Sequence, residues 1–133
     1  MNAHIESFGD APDFEGAKCE ALVCEEYFHK GQLSSAANVV WLKLNGRWHR
    51  FFFDCGVLNW RRSETSPKAY SMSELEGDVR LADIGERFGL IGCPVEKEEE
   101  LEEPTARLTL RFGGAGCIVF SHAGDQTSYE KRA

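Results

Sequence analysis

The stretch from Val39 to Phe53 constrains this chain more than any other. It reads Val-Val-Trp-Leu-Lys-Leu, then Asn45-Gly46, then Arg-Trp-His-Arg-Phe-Phe-Phe. Two β-prone runs are thus joined by Asn-Gly, the dipeptide that best tolerates the positive φ angles of a type I′ turn. A two-residue loop at 45–46 sets the register: Leu44 opposes Arg47, Lys43 opposes Trp48, Leu42 opposes His49 and Trp41 opposes Arg50. Because side chains alternate along a strand, the register also sorts the faces. One face carries Val40, Leu42, Leu44, Phe51 and Phe53 with His49, and must look into a core. The other carries Val39, Trp41, Trp48 and Phe52 beside Lys43 and Arg50, an aromatic and cationic mixture unusual for a face that meets only water.

A second hairpin follows downstream. Thr105–Phe112 alternates with Leu108, Leu110 and Phe112 inward, Gly113–Gly116 turns, and Cys117–Ser121 returns. Upstream, Glu20–Phe28 reads as a strand, although Phe14, Ala17, Ala21, Cys24 and Phe28 also fit a helical stripe. Gly31–Ala37 reads as a loop. Ser71 and Ser73 each precede a glutamate by three residues, a capping-box pattern. With Leu75, Val79, Leu81, Ile84 and Phe88 behind them, one or two short helices are expected over 71–89, broken at Gly77. The expected fold is α+β and β-rich: two antiparallel β-meanders, as a sheet, sandwich or partly open barrel, with the short helices between them. A single domain should span 1–133, with 1–13 and 124–133 as loosely ordered tails.

Hydrophobic residues make up 42% and charged residues 28% of the chain, which excludes a mostly disordered polypeptide. No uncharged run reaches the ~18 residues of a membrane helix. Met1–Glu6 has neither the basic nor the apolar region of a secretory signal. The five cysteines (Cys19, Cys24, Cys55, Cys93 and Cys117) are an odd number, mostly in apolar or strand-like text, as expected of free thiols in a reducing cytoplasm.

The net charge of −7 is unevenly spread. Residues 41–70 hold Lys43, Arg47, Arg50, Arg61, Arg62 and Lys68 against only Asp54 and Glu64, and contain all three tryptophans. Acidic text flanks them, densest at Glu96–Glu103. An acidic chain repels phosphate backbones, so general nucleic-acid binding is disfavoured.

Motifs for chemistry are thin. Cys19, Cys24 and His29 recur every five residues, a spacing that puts neighbours on opposite strand faces or ~140° apart on a helix, so no zinc site is expected. Gly113-Gly114-Ala115-Gly116 lacks the lysine of a phosphate loop, and the glutamate run lacks the order of a calcium loop. No cofactor or metal is implied. Two functions from different classes remain. The first is a small, acidic, cytoplasmic, non-catalytic binding protein, for instance an inhibitor or immunity-like protein for a basic partner. It would use Trp41, Lys43, Trp48, Arg50 and Phe52, with Glu98, Glu99 and Glu100 as an electrostatic strip, and its mate could equally be a second copy in a homodimer. The second is a thiol-dependent hydrolase with Cys55 as nucleophile and His29 or His122 as base.

Overall fold

A computed structural model describes residues 7–54, 56–72, 74, 76–102 and 105–133. The chain forms two β-sheets packed face to face. The larger is built from β1 (Ser7–Gly9), β2 (Ala21–His29), β3 (Gln32–Leu44), β4 (Arg47–Asp54), β5 (Val57–Ser63), β6 (Tyr70–Met72) and β7 (Gly77–Asp83). Its seven strands lie in the order β1-β5-β4-β3-β2-β7-β6, antiparallel throughout except for β1 beside β5. A one-turn helix, α1 (Ile84–Arg87), leads out of it. The smaller sheet is a meander of β8 (Val95–Glu102), β9 (Thr105–Phe112), β10 (Gly116–Ala123) and β11 (Gln126–Arg132), in the order β11-β10-β9-β8. Among the described residues no helix is long and apolar enough to cross a membrane.

The hairpin read from the sequence forms in the expected register, with Leu44 opposite Arg47 and Trp41 opposite Arg50. Asn45 and Gly46 have φ of 52° and 74°, the left-handed pair that a type I′ turn requires. Val40, Leu42, Leu44 and Phe51 are buried on its inner face, beside Leu22 and Cys24 of β2 and Leu58 and Trp60 of β5. From the other sheet come Ala106, Leu108, Leu110 and Phe112 of β9 and Ile118 and Phe120 of β10. Phe51 is the hinge of this core: its ring lies 4.9 Å from Trp60 within its own sheet and 5.1 Å, edge-on, from Phe120 across the interface. Burying such rings between two layers supplies most of the drive to fold.

Three expectations give way to strands. Residues 71–89 are not mainly helical: Gly77–Asp83 is β7, which pairs with β2, and only Ile84–Arg87 is a helix. The helix cap is Asp83, whose carboxylate accepts from Glu86 N at 3.1 Å. Ser71 bonds instead to Asp78 across the β6–β7 hairpin, and Ser73 and Leu75 lie outside the described residues. Gly31–Ala37 is not a loop, because Lys30 and Gly31, with φ of 51° and 77°, make a second tight turn and β3 starts at Gln32. Nor is 124–133 a tail. Thr127 and Tyr129 alternate onto the inner face of β11, where Tyr129 meets Phe120 and Ser35 of β3 clasps Thr127. At the other end, Ser7–Gly9 of the expected 1–13 tail adds a parallel strand beside β5, while 1–6 lie outside the described residues.

Candidate functional site

Alternation puts Trp41, Lys43, Trp48, Arg50 and Phe52 on the outer face of the large sheet, turned away from the small one. Gly77–Asp83, expected as helix, is β7 of the same sheet and so lies beside this face instead of over it. The face therefore packs on itself. Trp41 is 5% exposed, its edge against Trp48 at 6.1 Å and its ring under the Arg50 guanidinium at 5.4 Å. Lys43 lies over Trp48 at 5.7 Å, and Arg61 of β5 over Phe52 at 5.8 Å. A cation over a ring is worth about 0.5–1 kcal/mol where exposed and more where buried, as at Trp41, which offsets part of the repulsion among the three positive groups.

The register adds residues that the sequence left unmarked. Arg61 stands directly opposite Arg50 on the neighbouring strand, and like charges in that position repel. Neither arginine has an ion-pair partner among the described residues, and Arg50 Nε is buried with no hydrogen-bond acceptor. The nearby carboxylate is Glu25 of β2, 6% exposed, which accepts the Trp41 indole N–H at 2.6 Å. Burial pushes its pKa above the usual glutamate value, against the opposing pull of the Trp41 hydrogen bond and Arg50. Beyond Glu25 the face turns apolar: Leu81 is its cross-strand neighbour, Val79 pairs with Tyr27 and Tyr70, and Leu81 and Tyr70 are exposed. A strand reading of Val57–Ser63 exposes the Arg61 signal, whereas Glu25 and Tyr70 depend on pairings that no local pattern reveals.

Glu98, Glu99 and Glu100 lie on β8, an edge strand, and are divided between its faces. Glu98 pairs with Arg111 at 2.6 Å and Glu99 with Lys97 at 2.9 Å, while Glu100 is opposite Arg107. The acidic strip is thus largely answered within its own sheet.

The two histidines of the thiol reading lie on different sheets. Cys55 lies outside the described residues. His29 is exposed at the end of β2, opposite Gln32 and Gly77. His122 is buried on the inner face of β10, stacked on Phe53 at 5.2 Å and bonded through Nδ1 to Thr127 Oγ1 at 2.9 Å. Burial holds its imidazole below the usual histidine range, although Asp125 and Asp54 pull the other way. The Cys19 thiol is pushed up to about 12, first by burial and then by Cys93 and Asp83, and burial raises Cys24 as well. Such thiols stay protonated and unreactive.

Comparison with known protein families, with curated proteins and with solved structures returned no match. The functional argument rests on the geometry of the sheet faces.

Proposed function

We propose that this protein is a non-catalytic binding protein of the cytoplasm, and that it docks an acidic segment of a protein partner on the outer face of its large sheet. One observation carries the reading: Arg50 and Arg61 are directly opposed, with no ion pair to either among the described residues and with Glu25, the one carboxylate near Arg50, buried against Trp41, in a bed of Trp41, Trp48 and Phe52. A carboxylate between the two guanidiniums converts their repulsion into two charge-assisted pairs. Tryptophan, tyrosine and arginine are also the side chains that dominate binding hot spots. The answered glutamates of β8 favour this face over an acidic strip for a basic partner, and for the same reason offer few free carboxylates from a second copy. The described cysteines are free thiols, in keeping with a reducing compartment.

The test uses a ten-residue peptide of alternating glutamate and leucine, with its lysine–leucine counterpart as control. Tryptophan emission and calorimetry should report salt-sensitive binding of the acidic peptide alone. Arg50→Glu should weaken it tenfold or more, which is about 1.4 kcal/mol. Equal binding of the basic peptide, no binding of the acidic one, or indifference to Arg50→Glu would overturn the proposal. So would a wild-type dimer by light scattering that Arg50→Glu splits, since the occupant would then be a second copy.

A further inference from the structure

The inner face of β4 and β5 does not stay apolar to its end. Past Phe51 and Trp60 the same rows continue into His49 and Arg47 on β4 and Arg62 on β5, with His49 directly opposite Arg62. At this end the segment leaving β1 crosses the sheet, anchored by the backbone bond from Asp10 N to Trp60 O, the buried Pro12 and the edge of Phe14 against Trp60. Between segment and strands lies an open pocket of about 470 Å³, lined among others by Asp10, Pro12, Asp13, Arg47, His49 and Arg62. That volume lies within the range of small-molecule sites.

Two features of this pocket are left unsettled by the protein itself. His49 is 8% exposed, yet its Nδ1 has no hydrogen-bond partner among the described residues, a state that costs free energy in a folded chain. No protein acceptor at Nδ1 fixes its tautomer, so its N–H can be placed to suit a ligand. Opposite charges also line the pocket without meeting. Arg47 and Arg62 stand on the strand side, Asp10 and Asp13 on the segment side, and no ion pair joins them. The strand register holds one pair in place and buried Pro12 holds the other, leaving a gap with a positive and a negative pole.

We propose that this pocket binds a small zwitterion, with its carboxylate or phosphate toward Arg47, His49 and Arg62 and its ammonium toward Asp10 and Asp13. The site lies on the opposite face of the sheet from the docking residues, because its strand residues alternate with Trp48, Arg50 and Arg61 on β4 and β5. Burial, and after it Arg62 and Arg47, lower the His49 pKa, so at neutral pH the ring serves as an uncharged donor. The two arginines are exposed and also line a second hollow beside Trp48 and Glu64.

Glycine and phosphoethanolamine serve as zwitterionic probes for the two head groups, acetate and inorganic phosphate as plain anions, and methylamine as plain cation. Histidine ring ¹⁵N shifts should show one zwitterion perturbing His49 at lower concentration than either its matching anion or methylamine. Arg62→Gln, or Arg47→Gln should the first variant fold poorly, should weaken that zwitterion tenfold or more. Asp10→Asn with Asp13→Asn should weaken it too, while strengthening the plain anion. That crossed response separates a two-pole site from a simple cationic one. Plain anions binding as well as zwitterions, aspartate variants that move both affinities alike, or no probe perturbing His49 at millimolar concentration would overturn the inference.

Discussion

The two sheets present outer faces built on opposite principles. On the small sheet, Glu96, Glu98 and Glu100 of β8 lie beside Arg107, Thr109 and Arg111 of β9. Cys117, Val119 and Ser121 of β10 follow, and then Arg132, Glu130 and Ser128 of β11. Arg111 pairs with Glu98 at 2.6 Å and Arg132 with Glu130 at 2.9 Å, while Glu96 and Glu100 stand opposite Arg111 and Arg107. On the large sheet the cations rest on rings, arginine faces arginine, and the central carboxylate is buried under an indole. A face that settles its charges internally asks nothing of a partner. The other tolerates local repulsion and lost solvation, a pattern that evolution retains where something else completes it.

The largest test of this contrast is Trp41→Ala. It removes a buried ring on which Arg50 stacks, and also the one hydrogen-bond donor to the Glu25 carboxyl among the described residues, so unfolding free energy should fall by about 3–5 kcal/mol. Trp41→Phe keeps most of the packing and should lose about 1–3 kcal/mol, for the unmatched carboxylate. Denaturant midpoints check both, and a loss under about 1 kcal/mol for the alanine variant would mean the outer face is not a packed layer.

Glu25→Gln gives a smaller, pH-dependent effect. The folded-state pKa of Glu25 is raised, so protonation favours the native state. Its contribution is therefore fully present below the ordinary glutamate pKa and is lost as pH rises through the folded value. The glutamine variant should match wild type in acid and become the more stable protein toward neutrality. Thermal melts between pH 4 and 7 decide it, and parallel curves would refute the assignment.

The smallest effect belongs to the small sheet. Glu98, Glu99 and Glu100 changed together to glutamine should leave the fold intact and the melting temperature nearly unmoved, because exposed pairs contribute little. A collapse of the triple variant would show that its charge ladder is structural, and the contrast would narrow to one of composition.

What the sequence reveals follows from how local each cause is. The β3–β4 hairpin is legible because Asn45 and Gly46 alone decide its turn, and parity then sorts every side chain on both strands. The outer face of the large sheet is half legible for the same reason: Trp41, Trp48, Arg50 and Phe52 come with the hairpin, but Glu25 and Arg61 arrive through β2 and β5. The 71–89 text misleads because Val79, Ile84 and Phe88 suit a helix as well as a strand, and the choice is made by β2, some fifty residues earlier in the chain. Gln126–Arg132 is polar enough to pass for a tail, since its inward residues include Thr127, whose hydroxyl is satisfied by His122 of the neighbouring strand.

The clasp at Ser35 carries a kinetic meaning. Its hydroxyl donates to Thr127 O and accepts from Thr127 N, both at 3.2 Å, and so plays the part of a peptide unit in joining one sheet to the other. The two residues are 92 positions apart, and closing a loop of that length takes up chain entropy before any bond is returned. The Asn45-Gly46 hairpin can zip within microseconds, whereas this seam must wait for both sheets to exist. The sandwich thus has a fast beginning, set by a two-residue turn, and a slow closure, set by the meeting of β3 with β11.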